Sequence, residues 1–263
     1  MKVFLSALEG AHAPKSQGSV PIAKMLVERG VKMRYNLMSY YVLDKSDKKK
    51  ALAKYIHDHS DEIMIDSGAH SFQGGKKVDW DAYTERYAEF IKAFDSPKVV
   101  GFFEMDVDLI IGLPKVQELR ARLERVSDKI IPVWHKNRGI EDFKRMCESH
   151  KGRVVSITGF SNSEFKDSQY PMFLRYARKC GCRMHCLGMT RSKVLDKVPF
   201  DYTDSSTWLQ RVMFGVVSQN TKQRATMDFC REHREALYIK SYINALKDVE
   251  HYEERWSHVK PCY

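Results

Sequence analysis

Three aspartates in this sequence each follow a short apolar run, at the position where a buried strand would end. They are Asp66, Asp106 and Asp204. If the runs are parallel strands of one barrel, the three carboxyl groups converge on one rim. Carboxylates that share a partly desolvated pocket repel one another, so their pKa values separate. One can then act as an acid while another stays charged as a nucleophile or base, the pairing that retaining glycosyl transfer needs.

The ends of the other apolar runs carry further residues that suit a binding pocket. Gly68, Gly159 and Gly188 would let the backbone approach a flat ligand closely. His135 and His185 follow or lie within two more of these runs. Simpler interpretations stay open, because an aspartate at a strand end is often the N-cap of the next helix. The glycines fit turns equally well, and the histidines fit structural roles.

Short apolar runs alternate with amphipathic stretches along the chain. Eight runs have the length of strands, and several are continuously apolar, as in parallel strands buried on both faces. The predicted strands are Val3–Leu8, Tyr35–Ser39, Ile63–Asp66, Val99–Met105, Ile130–Trp134, Val154–Ile157, Arg183–Leu187 and Tyr202–Asp204. The helices predicted between and after them are Pro21–Glu28, Lys48–His57, Trp80–Phe94, Pro114–Val126, Glu141–Ser149, Gln169–Lys179, Ser206–Phe214 and a charged region at Lys222–Trp256.

Eight strands, each followed by a helix, predict an α/β fold and most economically a closed (β/α)8 TIM-type barrel. A doubly wound open sheet is the alternative, although the chain has neither G-x-G-x-x-G after its first strand nor G-x-x-x-x-G-K-[ST]. A barrel takes roughly 250 residues, close to the 263 present. We therefore expect one domain, with the barrel core over about 1–215 and C-terminal helices over 216–263.

The charge of the chain favours a polyanionic partner. Lys and Arg total 44 against 34 Asp and Glu, a net charge of +10, although a merely soluble basic protein is the simpler alternative. The candidate phosphate contacts are Lys136, Arg138, Arg191, Lys193 and Arg211. No apolar stretch approaches the roughly 20 residues that span a bilayer, and no signal peptide is evident. We therefore expect a cytoplasmic protein with reduced thiols and no membrane partner.

Four potential metal ligands, Cys180, Cys182, His185 and Cys186, lie within seven residues. Adjacent residues of a strand face opposite ways, so His185 and Cys186 would diverge. No second ligand cluster follows at zinc-finger spacing either. The sequence therefore predicts no metal at this segment, and chemistry carried by carboxylates requires no cofactor.

Five short motifs, in order and at barrel spacing over about Val3 to Trp208, resemble those of the tRNA-guanine transglycosylases. They resemble still more closely the relatives encoded in phages and bacterial islands, the DNA 7-deazaguanine transglycosylases. The motifs are Ile65-Asp66-Ser67-Gly68 with Phe72-Gln73 nearby, Met105-Asp106-Val107, Ile157-Thr158-Gly159-Phe160, His185-Cys186-Leu187-Gly188 and Asp204-Ser205-Ser206-Thr207-Trp208. The resemblance implies a base exchange, in which a 7-deazaguanine, such as the 7-cyano precursor of queuosine, replaces a guanine in the polymer.

Carried over position by position, the resemblance implies a role for each strand end. Asp204 is then the nucleophile at the sugar C1′, and Asp66 is the general acid/base that handles the proton of the base. Asp106 hydrogen-bonds the guanine edge, and His135 stands where the tRNA enzymes carry a glutamine. Gly159 stands where backbone amides contact the base. The remaining positions of the implied pocket are Ser67, Gly68, Phe72, Phe160, His185 and Gly188.

The sequence lacks one feature of the tRNA enzymes, a zinc site of the form Cys-x-Cys-x-x-Cys plus His after the nucleophile. Only Cys230 and Cys262 follow Asp204, which favours DNA and a 7-deazaguanine base as the partners. A tRNA-type enzyme acting on RNA is one alternative. A base-releasing glycosidase or hydrolase that uses the same aspartates is another, and a non-catalytic nucleic-acid-binding barrel is a third.

Overall fold

The computed structural model describes residues 1–15, 18–72, 78–159, 166–214, 229 and 233–259. In chain order the strands are β1 (Lys2–Ser6), β2 (His12–Lys15), β3 (Gly18–Pro21), β4 (Tyr35–Ser39), β5 (Glu62–Asp66), β6 (Val99–Phe103), β7 (Ile130–Ile131), β8 (Val133–Trp134), β9 (Val154–Thr158), β10 (Arg183–Leu187) and β11 (Tyr202–Ser205). The helices are α1 (Ile22–Glu28), α2 (Tyr40–Leu43), α3 (Asp47–His59), α4 (Trp80–Phe94), α5 (Asp108–Ile111), α6 (Leu113–Leu123), α7 (Ile140–Ser149), α8 (Tyr170–Lys179), α9 (Ser192–Leu195), α10 (Thr207–Met213) and α11 (Arg234–Arg255).

One parallel sheet forms a TIM-type barrel. Its strand order is β7-β6-β5-β4-β1-β11-β10-β9-β8. The two outermost strands, β7 and β8, are successive pieces of one segment that is interrupted at Pro132, which has no N–H to donate. Because β7 pairs with β6 and β8 pairs with β9, this interrupted segment closes the sheet. The predicted α/β barrel is confirmed, and the open doubly wound sheet is wrong.

The sequence prediction was accurate for element type and less accurate at the ends of elements. Trp80–Phe94 is helix α4 with the predicted bounds, and all eight predicted strands are present. The first run is a strand only as far as Ser6, since Ala7 adopts a left-handed backbone (φ 71°) and Leu8–Gly10 forms a 3-10 turn. The antiparallel pair β2 and β3, which follows that turn, was not predicted.

Side chains on alternate positions of each strand fill the barrel interior, as the two-residue period of a strand requires. His185 on β10 is opposite Ser156 on β9 in the sheet register, and both are fully buried. The ring of Phe103 on β6 meets the His185 ring at 5.0 Å, although β6 and β10 are not neighbours in the sheet. These residues therefore form a layer inside the barrel, beneath the carboxyl ends of the strands, which we call the mouth.

The C-terminal helix α11 belongs to the outer layer of the barrel. Tyr242 on α11 is fully buried, and its hydroxyl donates to Asn36 Oδ1 on β4 at 2.8 Å. The ring of Tyr242 also packs edge-on against Trp208 of α10, with ring centroids 5.1 Å apart. The helix thereby links β4 to α10, the helix that follows the last barrel strand. Among the described residues, no helix combines the length and apolar character needed to cross a membrane.

Closure of the barrel predicts a strong effect of adding one methyl group at Gly101 on β6. A Cβ at this position would lie 2.6 Å from Ile131 Cδ1 and 2.8 Å from the carbonyl oxygen of Lys129, on the strand pair that completes the barrel. Such overpacking typically costs about 1–3 kcal/mol. We expect Gly101→Ala to lower the urea midpoint of unfolding accordingly. Gly10→Ala is the control, because no atom lies within 4 Å of its added Cβ; equal midpoints for the two variants would contradict the packing argument.

Candidate active site

Asp204 lies at the mouth end of β11 and is contacted from its two neighbouring strands, β1 and β10, and the loop after β10. The Ser6 hydroxyl donates to Asp204 Oδ2 at 3.0 Å, and the Gly188 amide donates to Oδ1 at 2.7 Å. His185 Nε2 lies 3.5 Å from the same Oδ1. Burial raises the pKa of Asp204 to about 6, against the opposing effect of the Gly188 and Ser6 bonds. Helix α10 is preceded by Ser206, so the N-cap interpretation of Asp204 is wrong.

Asp66 lies at the mouth end of β5. The Gly68 amide donates to Asp66 Oδ2 at 2.9 Å, so this carboxylate also closes its own turn. Gly68 has φ 79°, and a Cβ there would lie 2.2 Å from Tyr41 Cβ, so a glycine is required. Burial raises the pKa of Asp66 to about 7, and the charges of Asp204 and Asp106 raise it further. Because such effects come from nearby charges, the three predicted aspartates lie close to one another at one mouth.

Asp106 lies on the β6 side of the mouth in a network of opposite charges. His135 Nε2 lies 2.8 Å from each of its carboxylate oxygens. The Arg138 guanidinium donates to Asp106 Oδ1 at 3.2 Å and to Asp108 Oδ1 at 2.9 Å. The same guanidinium pairs at 3.2 Å with Glu104, which is fully buried. Asp106 does not cap α5, whose N-cap is Val107.

This network corrects one prediction and bears on metal binding. The Arg138 side chain is only 2% exposed and is bound by three carboxylates, so its predicted contact with a phosphate is wrong.

Asp106, Asp108 and His135 place ligand atoms within 4.8 Å of one another, an arrangement that suits a metal ion. Arg138 already pairs with both aspartates, so part of their negative charge is offset without a cation.

Several residues of the implied base pocket are buried or hydrogen-bonded within the protein. The Gly159 amide donates to the Leu187 carbonyl at 2.7 Å, so this amide does not face a base as the resemblance implied. A Cβ at Gly159 would lie 2.7 Å from Cys186 Sγ, which explains the glycine by packing. Ser67 and His185 are fully buried and have no surface at the mouth. Phe160 lies outside the described residues.

Phe72 and Gly188 also differ from the expectation. The Phe72 ring is buried and packs edge-on against Tyr41, Trp80 and Tyr83 at 4.9–5.3 Å, so it is a packed ring and not an open stacking platform. The Gly188 amide donates its hydrogen bond to Asp204 Oδ1. The residues that the structure does bring together at the mouth are therefore Asp66, Asp106, His135, Gly68, Gly188 and Asp204.

The remaining basic candidates divide into two groups. Lys136 and Lys193 are exposed, and Lys193 pairs with Asp167 at 2.8 Å. Arg191 donates to the Gly159 carbonyl and to Asp167, and its side chain is 20% exposed. Arg211 instead lines a cavity of about 260 Å³ between the barrel wall and helix α11. The candidate phosphate contacts therefore remain Lys136, Arg191, Lys193 and Arg211.

Sequence reasoning missed three residues of the site. Glu9 is fully buried in the turn after β1, and one of its oxygens accepts the Ser39 amide at 2.9 Å. Burial raises its pKa to about 7, with a contribution from the charge of Asp66. Ser6 and Ser39 hydrogen-bond Asp204 and Asp66, respectively. The signal for Glu9 was its position directly after the first apolar run, the same kind of position as that of the three aspartates.

The cysteine-rich segment separates in space. The Cys182 thiol donates to the carbonyl oxygens of Cys147 and His150, toward helix α7. His185 instead points into the barrel interior, where its ring meets Phe103. Among the described residues, no group with metal-ligand geometry includes a cysteine of this segment.

The raised pKa of Asp66 predicts how stability changes with pH. A carboxyl whose pKa is about 7 in the folded state and 3.8 unfolded favours folding at low pH, and this contribution is lost as pH rises through 7. The wild type loses stability when the buried Asp66 becomes charged, and Asp66→Asn cannot become charged. We therefore expect Asp66→Asn to unfold at higher temperature than the wild type at pH 8. The free energy of unfolding of Asp66→Asn should exceed that of the wild type by more than about 1 kcal/mol at pH 8, the equivalent of one pKa unit. The difference should be smaller at pH 4. Thermal unfolding at both pH values measures it.

Asp108→Asn is the control with the opposite sign. Burial alone would raise the pKa of Asp108, but its bonds to Arg138 and Asn137 hold that pKa below the ordinary value. This variant should therefore be less stable than the wild type at pH 8 and approach it at acidic pH. Equal unfolding temperatures of Asp66→Asn and wild type at pH 8 would contradict the unfavourable burial of Asp66.

Comparisons with known proteins give no family and no activity for this chain. No protein-family model and no curated protein matches the chain. One similar solved structure is that of a Mesorhizobium loti protein provisionally described as a dehydratase, with TM-score 0.47 and 14% identity over 77% of this chain. The match spans 54% of that protein. Another is a protein from Aquifex aeolicus VF5 whose description names no activity, with TM-score 0.36 and 13% identity over 89% of this chain and 98% of that one.

Proposed function

We propose that this protein exchanges guanine in DNA for a 7-deazaguanine through a covalent bond between Asp204 and the deoxyribose. The observation that carries the proposal is the pair of carboxyl groups at the mouth, Asp66 and Asp204, whose pKa values burial raises to about 7 and about 6. Near neutral pH such a pair contains one protonated and one charged member, as double-displacement glycosyl transfer requires. The motif resemblance supplies the identity of the bases.

The chemistry needs two displacements at one carbon. A carboxylate oxygen of Asp204 forms a bond to C1′ while the C1′–N9 bond to guanine breaks. The protonated carboxyl of Asp66 gives its proton to the departing base. Asp66, now charged, then takes the proton from N9 of the incoming base, whose nitrogen forms the new bond to C1′ and releases Asp204. Two inversions retain the configuration of the sugar, and the protons balance.

Recognition of the base fits the Asp106 side of the mouth. A carboxylate only accepts hydrogen bonds, and guanine presents N1–H and an amino group as donors on its Watson–Crick edge. A 7-deazaguanine has the same edge, so Asp106 can bind the departing and incoming bases alike. His135 and Arg138 hold the Asp106 carboxylate by its oxygens at 2.8 and 3.2 Å. The two bases differ at position 7, which lies away from that edge.

A polymer substrate agrees with the charge of the chain. A base stacked in a duplex exposes no path to C1′, so the nucleotide must be rotated out of the helix into the mouth. The net charge of +10 attracts the phosphate backbone. Lys136, Arg191 and Lys193 follow β8 and β10 on the mouth side, where flanking phosphates would lie. DNA is proposed over RNA because the zinc site of the tRNA enzymes is missing from the sequence.

Two substitutions test the assigned roles. Asp204→Asn should abolish exchange and leave no trapped covalent DNA adduct, because the amide cannot displace the base. Asp66→Asn should still bind DNA but lose about 10²–10⁴-fold in rate, the usual contribution of a general acid/base. Incorporation of a labelled 7-deazaguanine into an oligonucleotide measures the rate, and denaturing electrophoresis detects the adduct.

Asp201→Asn is the matched control for these variants. Asp201 precedes the same strand β11 at the opposite end of the barrel, is also buried, and has a raised pKa. Its exchange rate should stay within a few fold of the wild type. Exchange at the wild-type rate by Asp204→Asn would remove Asp204 from the nucleophilic role, whatever the behaviour of Asp66.

Labelled guanine distinguishes exchange from the alternative functions. A transglycosylase incorporates label from free guanine into the polymer, whereas a base-releasing glycosidase leaves abasic sites and incorporates none. Parallel reactions with DNA and RNA of the same sequence separate the two substrate classes. A non-catalytic barrel would show neither product, would bind DNA equally well as Asp204→Asn, and would lose binding when Lys136 and Lys193 are replaced.

A further inference from the structure

His185 contacts Asp204 and cannot contact a substrate. Its side chain is fully buried beneath the mouth, between Ser156 and the ring of Phe103. His185 Nδ1 lies 3.1 Å from Ser156 Oγ. His185 Nε2 is buried, has no hydrogen-bond partner within normal distance, and faces Asp204 Oδ1 at 3.5 Å. A decrease of about 0.5 Å in the distance between His185 Nε2 and Asp204 Oδ1 would form a hydrogen bond between them.

The surroundings of the ring fix its protonation and tautomer. Burial lowers the pKa of His185 to about 3, so the imidazole is neutral and carries a single N–H. A carboxylate can only accept, whereas the Ser156 hydroxyl can donate or accept by rotating. The N–H therefore belongs on Nε2, toward Asp204, and Nδ1 accepts a hydrogen bond from Ser156. With the opposite tautomer, two lone pairs would face each other across 3.5 Å.

We propose that His185 is a positioning residue for Asp204 and that Asp204 Oδ2 is the oxygen that attacks C1′. Asp204 Oδ1 faces two donors, the Gly188 amide and His185 Nε2. Among the described residues, only the Ser6 hydroxyl donates to Oδ2, so this oxygen keeps a lone pair for the new bond. The proposal rests on the function proposed above, because it names which atom of the same carboxylate reacts and what holds it.

The arrangement also excludes a hydrolytic triad. Ser156, His185 and Asp204 have the residue types of a Ser-His-Asp triad, in which the serine attacks. Here Ser156 is fully buried within the barrel, and Asp204 is the member at the mouth. The histidine therefore lies between a serine that no substrate reaches and a carboxylate that a substrate can reach. Ser156 orients the ring of His185, and His185 in turn orients the carboxylate of Asp204.

Other ionisable groups act on Asp204 and must be separated from His185 in any titration. The charges of Asp204 and Asp106 both raise the pKa of Asp66. Cys186, next to His185 on β10, is buried, and its thiol has a pKa raised by burial and by the charge of Asp204. Ser6 and Gly188 are hydrogen-bond donors that do not titrate in the accessible range. Variants of His185 leave all of these groups in place.

The test measures the carboxyl of Asp204 directly, without turnover. We expect His185→Met, which removes the N–H at similar length, to raise the pKa of Asp204 by about one unit in a carbon-13 carboxyl NMR titration, because a donor to the charged form is lost. His185→Gln restores a donor and should titrate within a few tenths of a unit of the wild type. Asp204→Asn identifies the resonance. An Asp204 titration unchanged in a folded His185→Met protein would overturn the proposal.

Two further readouts keep the proposal separate from the proposed function. Nitrogen-15 NMR of the wild-type imidazole should show the proton on Nε2, and a proton on Nδ1 would overturn the proposal even if every variant fails to fold. In the exchange assay, His185→Met should lower kcat at least about tenfold with little change in KM, and His185→Gln should recover most of it. If the wild type exchanges no base, the proposed function fails, whereas both NMR measurements still decide the His185–Asp204 contact.

Discussion

Removing two carboxyl groups from water at the mouth of a barrel is the constraint that organises this protein. A buried carboxylate is costly unless donors surround it, and Asp204 obtains those donors from three separate strands or loops, at Ser6, Gly188 and His185. None of these donors is a charged side chain. The hydrogen bonds from Gly188 and Ser6 oppose the effect of burial without cancelling it, so the pKa of Asp204 stays near 6. The pairing of β11 with β1 and β10, its two neighbours in the sheet, brings the three donors to one carboxyl.

The opposite side of the mouth follows a different principle. Asp106 lies beside the buried guanidinium of Arg138, which also pairs with Glu104 and Asp108. The guanidinium of Arg138 pairs with Asp106, whereas the hydrogen bonds to Asp66 and Asp204 come from neutral groups. The barrel fold itself hosts many unrelated reactions, so fold similarity alone says nothing about activity. The division of the mouth into a charged recognition side and a titratable reaction side is what the proposed base exchange depends on.

The sequence predicted what local patterns encode. Alternating apolar runs and amphipathic segments gave the eight strands and the barrel, and the strand-end positions of Asp66, Asp106 and Asp204 placed all three at the mouth. Contacts between distant residues were not predictable in this way. Nothing near Arg138 in the sequence showed that Glu104 would bury its guanidinium, and no spacing linked Ser6 to Asp204. Burial of Gly159 and His185 likewise depends on neighbouring strands that only the closed sheet supplies.

The pairing of β1 with β11 has a consequence for how the protein is made. Ser6 and Asp204 are separated by 198 positions, so a ribosome that adds about 5–20 residues per second produces them roughly 10–40 s apart. During that interval β1 lacks one neighbour, and its exposed edge must be protected from other chains. The reactive carboxylate gains its donors only when the last strand docks. The proposed base exchange therefore requires a chain that has been completed through β11, because Asp204 and its partner Ser6 come together only then.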